Sequence, residues 1–589
     1  MTNRAYDTLY LCEKPSQARA LARQLGATRN EDGVFTGGGA VVLNAYGHLL
    51  NLAMPDEYSD HDRGPWSLSN LPIVPRKWEW KVKAEHIEQY NKIAAWLDRV
   101  NTVVIATDPD EEGEVIGRQI LYELGFKGNI LRLWASALDP DSLKHALKNL
   151  LPLSATDTAY RAGCVRRHLD WLYGINLSRA FSVTSGQRTS IGRVTTRLLT
   201  ELVNREREIR CFTPRNYYTA TAKLEDVVLE WQPVNGCGDI SQLPLDEEVT
   251  GICVVASEYQ EALEPPLPLT LSALLADAAD IGIDVTSGYV AVQKLYEAGA
   301  ISYPRTGSTV MPGHSKHGFA AHHAIVNTRD ACPDWLPDTC QIIFNMVHHN
   351  CVLQHIGAAT VHVRRLVFDM GGEIFAATDR WVDPLKPREA GWLLCDPGKH
   401  SALENNVKTK TFRPGDQVHA ILKVERNPAV PPERYTEASL LRHMAKAEIG
   451  TEATRVGAIN NLIINQVAER KQVKSRCSQE LSPSEKGMSL IERLPPSVTG
   501  STMENQLRNA LIYVRSGQAD LTGHLRNASK WLATTISRMK QNSTCDQPGQ
   551  NCLHRSGWAT SVGQLKADIS EAQLRPHLPL IKMRTGQLT

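Results

Sequence analysis

Three acidic residues follow one apolar run of the sequence at a spacing of two. The run at 102–107 (TVVIAT) predicts a buried strand, and Asp108, Asp110 and Glu112 come directly after it. Carboxylates this close repel one another, and a hard cation such as Mg2+ relieves the repulsion because it prefers oxygen ligands. The spacing therefore indicates a divalent metal site. The alternative is an acidic turn that caps a helix, because Asp and Glu are common in first helical turns.

A second apolar run, at 8–12 (TLYLC), ends at Glu13 and Lys14 and is followed by a helical pattern. In open parallel α/β sheets, ligands gather at the carboxyl ends of the strands. We therefore expect Glu13 to converge with Asp108 and Asp110, although about 95 residues separate them. Lys14 would then be a cation suited to a phosphate. The alternative for Lys14 is a surface lysine at a helix start.

A tyrosine and an arginine stand two residues apart in the segment at 300–308 (AISYPRTGS). Tyr303 precedes Pro304, which favours extended backbone, so Tyr303 and Arg305 can project to the same side. A phenol attacks a phosphate at neutral pH only if nearby cations favour the phenolate, and the donor fork of an arginine suits the phosphate. The alternative is a half-buried tyrosine beside a surface arginine.

Length and composition indicate a soluble protein of several domains. The chain has 589 residues, and no apolar stretch approaches the roughly 20 residues of a membrane span. The first residues lack a signal-peptide pattern, so we expect a cytoplasmic protein that does not associate with membranes. The 12 cysteines are scattered without a C-x-x-C pair, which predicts reduced thiols and no zinc.

The formal net charge of +1 hides an asymmetry between the two ends of the chain. Residues 431–589 carry 21 Lys plus Arg against 13 Asp plus Glu, whereas the preceding residues are acidic on balance. A basic C-terminal third suits a polyanionic partner.

The order of patterns predicts a multidomain fold that combines α/β and α+β parts. Residues 1 to about 150 alternate strand and helix patterns, and a helical, arginine-bearing stretch follows to about 210. Short alternating strands return in two separate passages, at about 214–257 and 360–424. Helical patterns occupy 272–298 and the region after 436, and the tail beyond about 542 is polar and irregular.

Nine motifs occur in the order in which they are found in the type IA DNA topoisomerases, so the chain resembles that family, and within it the bacterial topoisomerase III group. The motifs are EKPSQARALA at 13, VVLNAYGHLLNLAMPDEY at 41, LPIVPRKWEW at 71, ATDPDEEGE at 106, DWLYGINLSRA at 170, SIGRVTT at 190, ISYPRTGS at 301, AHHAIVNT at 321 and IGTEATRVGAINNLI at 449. The likeness runs from about residue 8 to about residue 500.

The resemblance implies a domain arrangement. An N-terminal Toprim domain, which is Rossmann-like, would be joined to a toroidal body that holds single-stranded DNA. The expected parts are a Toprim domain at 1–150, a helical DNA-binding part of the base at 151–212, a β-rich arch at 213–270 with 355–432, a tyrosine-bearing domain at 271–354, and a helical C-terminal part of the base with an irregular tail at 433–589.

The resemblance also implies an activity. The family cleaves one DNA strand through a 5′-phosphotyrosine, passes a strand and reseals the break, which relaxes negative supercoils and decatenates DNA. The implied cofactor is Mg2+, with Mn2+ as a substitute, and neither ATP nor zinc is required. The implied partners are single-stranded and negatively supercoiled DNA and a helicase, and the protein is expected to be a monomer.

Particular residues match the functional positions of the family. Tyr303 matches the nucleophile, Glu13 a metal ligand and general acid, Asp108 and Asp110 the metal-binding aspartates, and Glu112 an outer acidic position. Lys14, Arg305 and His322 match groups near the scissile phosphate. The positions that match contacts to the single strand are Trp66, Trp171, Arg179, Ser190, Ile191, Gly192, Arg193, Val194, Thr195 and Arg305. Plain core packing is the alternative for both tryptophans.

The sequence departs from the family pattern at several positions. Glu111 replaces an arginine, Gly307 an aspartate, Thr195 a glutamine and Asn327 a proline, and only 19 positions separate Tyr303 from His322. Two other functions therefore stay open at this stage. One is a Toprim nucleotidyl transferase or primase, which would not need the tyrosine, and the other is a non-catalytic DNA clamp derived from a topoisomerase.

Overall fold

The computed structural model describes residues 6–58, 64–233, 243, 248–312, 322–383, 386–395, 399, 403, 411–472, 479–518 and 521–544. The predicted irregular tail lies almost wholly outside these described residues. The chain forms two compact units, each built from separate stretches of sequence. Of the described residues, the first unit holds those within 6–212, 264–358 and 431–541, and the second holds those within 213–263, 359–430 and 542–544.

The first unit contains a mixed sheet whose described strands follow the order β2-β3-β4-β1-β7-β8-β9. The central strands β4, β1, β7 and β8 run parallel, whereas β2, β3 and β9 pair antiparallel at the two edges. The strands are β1 (Thr8–Cys12), β2 (Arg29–Glu31), β3 (Val34–Gly37), β4 (Ala40–Asn44), β7 (Thr102–Ala106), β8 (Asn129–Arg132) and β9 (Leu151–Pro152); β5 (Leu50–Leu52) pairs separately with β6 (Trp80–Val82). The predicted strands at 8–12 and 102–107 are confirmed to within one residue.

Helices cover both faces of this sheet, which explains the unbroken apolar runs of β1 and β7. Tyr10, Val42 and Val104 belong to one core cluster, and Leu9, Val41 and Val103 belong to another. The helices of this part of the chain are α1 (Pro15–Leu25), α2 (Pro55–Tyr58), α3 (Ile87–Leu97), α4 (Glu111–Glu123) and α5 (Pro140–Lys148). The sheet therefore holds the carboxyl ends of β1 and β7 side by side at one edge.

The rest of the first unit is mainly helical. Its core joins residues from all three stretches of sequence, so the tyrosine-bearing segment packs in the same unit as the sheet. The helices are α6 (Asp157–Ser185), α7 (Arg193–Arg210), α8 (Leu271–Asp280), α9 (Val285–Glu297), α10 (Asp338–Ile356), α11 (Glu437–Lys446), α12 (Glu452–Ile464), α13 (Glu485–Arg493), α14 (Pro496–Thr499), α15 (Thr502–Arg515) and α16 (Thr522–Thr544). One hairpin, β16 (Ala468–Gln472) with β17 (Gln479–Pro483), interrupts the C-terminal helices that the sequence predicts.

The second unit is a closed barrel whose described strands follow the order β10-β11-β14-β13-β12-β15. Alternate residues of these strands fill the interior, among them Ala222, Leu229, Phe368 and Phe375. The strands are β10 (Asn216–Leu224), β11 (Val227–Trp231), β12 (Glu248–Leu263), β13 (Ala359–Met370), β14 (Glu373–Trp381) and β15 (Gln417–Pro428). The two predicted β-rich passages thus form a single barrel. In neither unit do the described helices include one with the length and apolar character that crossing a bilayer requires.

Candidate active site

The acidic residues of the two central strands meet at the carboxyl edge of the sheet. The parallel register pairs Cys12 with Ala106, so Glu13 and Asp108 emerge next to each other. The backbone amide of Asp108 donates to Oε2 of Glu13 at 3.3 Å. Both side chains are buried, Glu13 being 5% exposed and Asp108 1%. The expected convergence of Glu13 and Asp108 is therefore present in the structure.

Asp110 begins helix α4 and faces the tyrosine. Its Oδ1 accepts the backbone amide of Gly113 at 2.7 Å, which caps the helix. Its Oδ2 accepts the hydroxyl of Tyr303 at 2.5 Å. The third acid, Glu112, lies two residues after Asp110, in the first turn of helix α4. Burial, followed by the charge of Asp110, raises the pKa of Glu112. The helix cap thus fixes a carboxylate that also contacts the candidate nucleophile.

A buried arginine, which the sequence did not mark, holds in place the segment 107–110, called the acidic loop below, which carries Asp108 and Asp110. Arg132 ends strand β8, and its guanidinium donates to the backbone oxygens of Thr107 at 2.9 Å and Asp108 at 2.7 Å. It also pairs with the buried carboxylate of Glu114. An arginine at the end of an apolar strand was the only signal in the sequence, and that signal does not identify its partners.

Two cations lie against the acidic cluster. Nζ of Lys14 is 3.0 Å from Oδ2 of Asp108 and 3.9 Å from Oε1 of Glu13. Nη1 of Arg305 is 3.6 Å from the same Asp108 oxygen, and its buried Nε has no hydrogen-bond partner. Lys14 and Arg305 thus neutralise Asp108 and keep donors available beside it.

Tyr303 is almost fully buried, at 3% exposure, beside the acidic loop. Its backbone amide donates to the carbonyl of Ser136 at 2.7 Å. Its ring lies 5.6 Å from that of Tyr296 and 5.0 Å from that of His322, which also stacks on Trp134. Burial, followed by the charges of Asp110 and Asp108, raises the pKa of Tyr303 well above its usual range. The phenol is therefore protonated in this arrangement.

Glu13 has a strongly perturbed acidity. Burial, followed by the charge of Asp108, raises its pKa to about 8, against the opposing effect of Lys14. At neutral pH the side chain is therefore mostly protonated and can donate a proton.

The donor set suits a divalent cation, although the described residues present no ready-made cluster of three ligating side chains. Glu13, Asp108, Asp110 and Glu112 supply only carboxylate oxygens, which hard cations prefer. Burial, followed by the charge of a neighbouring aspartate, raises the pKa values of both Glu13 and Glu112. Lys14, Arg305 and the Tyr303 hydroxyl now occupy oxygens of the two aspartates, so a cation would have to displace or supplement them.

A buried glutamine, also missed by the sequence analysis, links Glu13, Lys14 and Asp108. Oε1 of Gln17 accepts the backbone amides of Glu13 at 3.0 Å and Lys14 at 3.1 Å. Its Nε2 donates to Oδ1 of Asp108. In the sequence this residue resembles any other polar position of a first helical turn, so no pattern marked it.

A further positive group flanks the cluster. The guanidinium of Arg167, on helix α6, contacts the imidazole of His48 at 2.8 Å. Burial and then Arg167 lower the pKa of His48 to about 3, so the imidazole is neutral. Burial lowers the pKa of Arg167, and the charge of Glu112 opposes that shift.

Trp66 lies close to two arginines. The guanidiniums of Arg179 and Arg188 are each 5.2 Å from the centre of its ring. A cavity of about 440 Å³ adjoins it, and its lining includes Ser182, Val183 and Arg188. An aromatic face combined with guanidiniums matches what bases and phosphates of a single strand require.

The other positions matched to single-strand contacts have varied surroundings. Trp171 is packed between Tyr58 and Trp78, and its Nε1 donates to the carbonyl of Ala53 at 3.0 Å. Ile191 is buried in the core, and Arg193 forms a two-pronged ion pair with Asp170. The remaining positions of that stretch are partly or fully exposed: Ser190, Gly192, Val194 and Thr195.

Comparisons with known proteins show the family of the chain. The model of a family described as DNA topoisomerase matches residues 154–318 and 311–525, and that of the Toprim domain matches residues 8–138. These matches cover most of the chain, which belongs to the type IA DNA topoisomerase family.

Curated relatives extend over nearly the whole chain. DNA topoisomerase 3 of Haemophilus influenzae is 27% identical, with 91% of this chain and 95% of that protein covered. DNA topoisomerase 3 of Bacillus subtilis is 24% identical, covering 91% and 82%. A solved structure, the full-length topoisomerase I of Thermotoga maritima, shares the fold with a TM-score of 0.70 at 20% identity, covering 92% of this chain and 93% of that one.

Proposed function

We propose that this topoisomerase III-like enzyme breaks and reseals one DNA strand through Tyr303, without ATP. The observation that carries the proposal is the hydrogen bond between the hydroxyl of Tyr303 and Asp110, beside the buried pair of Glu13 and Asp108. A nucleophile, a proton donor and two phosphate-binding cations thus lie within one small volume. The products are relaxed and decatenated DNA.

In the cleavage step, the phenolic oxygen of Tyr303 attacks the phosphorus of a phosphodiester. A bond forms between that oxygen and phosphorus, and the bond from phosphorus to the 3′-oxygen breaks. The proton of Tyr303 passes to Asp110, to which it is already hydrogen-bonded, and protonated Glu13 gives a proton to the departing 3′-oxygen. Because one phosphodiester replaces another, the free 3′-hydroxyl can reverse the step without an external energy source.

Lys14 and Arg305 bind the non-bridging oxygens of the phosphate. Arg305 has a buried donor without a partner, and Lys14 has already been brought to Asp108. His322, which stacks on Trp134 and contacts the ring of Tyr303 at a tilt, adds a ring nitrogen on the tyrosine side of the phosphate.

Glu13, Asp108, Asp110 and Glu112 are the residues that would hold Mg2+ or Mn2+. The ion would supply positive charge next to the phosphate and lower the repulsion among the carboxylates. The family is in general Mg2+-dependent, and in this chain the carboxylates provide no ligands of the type that zinc prefers in structural sites.

Trp66 and Arg179 track the single strand by stacking and by charge, and the exposed positions among residues 190–195 extend this path. We assign the protein to the bacterial cytoplasm as a monomer that works on negatively supercoiled DNA with a helicase. Analytical ultracentrifugation tests the monomer, and copurification from a bacterial lysate tests the helicase.

The deciding experiment traps the covalent intermediate. Wild-type protein and Tyr303→Phe are incubated with single-stranded oligonucleotides labelled at either end, with Mg2+, and denatured. A 5′-phosphotyrosine holds the fragment that runs from the break to the 3′ end of the oligonucleotide. Wild-type protein should therefore retain the 3′-end label and not the 5′-end label, and Tyr303→Phe should retain neither. Tyr296→Phe, the neighbouring phenol, is the matched control and should still form the adduct.

The same gel separates the other two functions. A Toprim nucleotidyl transferase would extend or join strands equally well in wild-type and Tyr303→Phe. A non-catalytic clamp would bind the oligonucleotide and give no adduct with either protein. Either result would refute the proposed function.

A further inference from the structure

We infer that Gln17 is a positioning residue of the cation site, which orients Asp108 and ties it to the strand end that carries Glu13. The inference rests on the proposed function, because it concerns the same acidic cluster. It assigns a role to a residue that neither the motif chemistry nor the proposed reaction uses.

The hydrogen bonds of Gln17 fix the orientation of its carboxamide. Oε1 faces two backbone donors, the amides of Glu13 at 3.0 Å and Lys14 at 3.1 Å, so the nitrogen must point the other way. There Nε2 donates to Oδ1 of Asp108. The hydroxyl of Tyr296, on helix α9, lies near enough to the carboxamide of Gln17 to interact with it. The side chain is 4% exposed, so water does not compete for these bonds.

These bonds determine which oxygen of Asp108 can take a new partner. Gln17 holds Oδ1, whereas Oδ2 faces Lys14 at 3.0 Å and Arg305 at 3.6 Å. The carboxylate plane of Asp108 is therefore set before a cation or a phosphate arrives. Groups that orient a metal ligand in this way typically change metal affinity by about 10- to 100-fold when they are removed.

Gln17 also connects the sheet to the tyrosine-bearing segment. Tyr296 packs edge-on against Tyr303 at 5.6 Å, and its hydroxyl interacts with Gln17, which in turn bonds to Asp108. Removing the Tyr296 hydroxyl alone should therefore loosen Gln17 without removing its bond to Asp108.

A role confined to capping helix α1 is the competing explanation. The bonds that Oε1 accepts from the amides of Glu13 and Lys14, just before the first residue of the helix, would stabilise the fold without influencing the cation. The two roles differ in a measurable way, because a cap changes stability equally with and without Mg2+, whereas a positioning residue changes the Mg2+ concentration that is needed.

The experiment follows the melting temperature of the full chain, without DNA, as Mg2+ is titrated from an EDTA-treated start. Wild-type should show a saturable rise. For Gln17→Leu the Mg2+ concentration at half-maximal rise should increase by about 10-fold or more. Tyr296→Phe should move it in the same direction by a smaller factor. Gln24→Leu, two turns further along the same helix, is the matched control and should leave it unchanged.

Two results would overturn the inference. One is a Gln17→Leu protein that melts lower in EDTA but keeps the wild-type Mg2+ midpoint, which is the behaviour of a simple cap. The other is a wild-type protein whose melting temperature does not respond to Mg2+. The adduct assay on wild-type protein separates these failures from failure of the proposed function, because it reports on Tyr303 alone.

Discussion

The hydroxyl of Tyr303 donates a hydrogen bond of 2.5 Å to Oδ2 of Asp110, although 193 residues separate them in the sequence. The bond joins the tyrosine-bearing segment to the acidic loop at the end of strand β7. In the reaction proposed above, this bond is the route by which the phenol would pass its proton to Asp110 as it attacks the phosphate. Burial, followed by the charges of Asp110 and Asp108, raises the pKa of the phenol well above its usual range, so the hydroxyl keeps its proton in this contact.

The acidity of Glu13 predicts how stability depends on pH in the absence of metal. Its folded pKa is about 8, above the ordinary value of 4.5, so the stability associated with its proton is complete below pH 4.5 and is lost as the pH rises through about 8. In EDTA, the melting temperature of wild-type should therefore fall between pH 6 and 9 more steeply than that of Glu13→Gln. Equal slopes for the two proteins would contradict the prediction.

The two tryptophans matched to DNA contacts should behave differently. The ring of Trp66 lines the cavity and lies near both Arg179 and Arg188, so Trp66→Ala should weaken binding of a single-stranded oligonucleotide by about 5- to 150-fold. Trp66→Phe keeps a stacking face and should lose much less. Fluorescence anisotropy at fixed salt measures both, and equal affinity of wild-type and Trp66→Ala would refute the assignment.

Trp171, in contrast, packs against Tyr58 and Trp78 and bonds to a backbone carbonyl. We expect Trp171→Ala to reduce the free energy of unfolding by about 3 kcal/mol or more. Denaturant unfolding measures this loss. A Trp171→Ala protein of wild-type stability but weakened DNA binding would show that the ring serves the strand instead.

Gly307 stands where the family motif has an aspartate, and we expect an aspartate at this position to destabilise the protein. A Cβ at Gly307 would lie 3.6 Å from Oε1 of Glu452, a carboxylate bound by Ser272 and Arg455. Gly307→Asp should therefore cost about 1–2 kcal/mol of stability, whereas Gly307→Ala should cost little, since its contact distance is ordinary. Adding Glu452→Gln should recover part of the loss if repulsion is the cause. Thermal or urea unfolding of wild-type, Gly307→Asp, Glu452→Gln and the double variant completes the cycle.

Glu111, which stands where the family pattern has an arginine, forms ion pairs with two arginines of this chain. Its carboxylate pairs with Arg166 at 2.9 Å and with Arg515, which is largely exposed, at 3.4 Å. Glu111→Gln should lower the free energy of unfolding by about 0.5–1 kcal/mol. Glu111→Arg should lower it more, because it places a third guanidinium beside those of Arg166 and Arg515. The double variant Glu111→Arg with Arg166→Glu should restore most of the stability. If Glu111→Arg matches wild-type in urea unfolding, these ion pairs do not stabilise the protein.

The sequence alone determined the chemical groups of the candidate site and the strands that carry the acids. The apolar runs of β1 and β7 are covered on both faces, and such runs are readable because burial restricts residue type. The order of the motifs indicated the family, which the comparisons confirm.

Only the tertiary structure decided which groups touch and what their acidities are. Gln17 and Arg132 left no pattern in the sequence, because an uncharged amide in a first helical turn and an arginine at a strand end have many possible partners. Their roles depend on hydrogen bonds to Asp108 that span 91 and 24 residues. The pKa of Glu13 likewise depends on burial and on Asp108, which are properties of packing rather than of spacing.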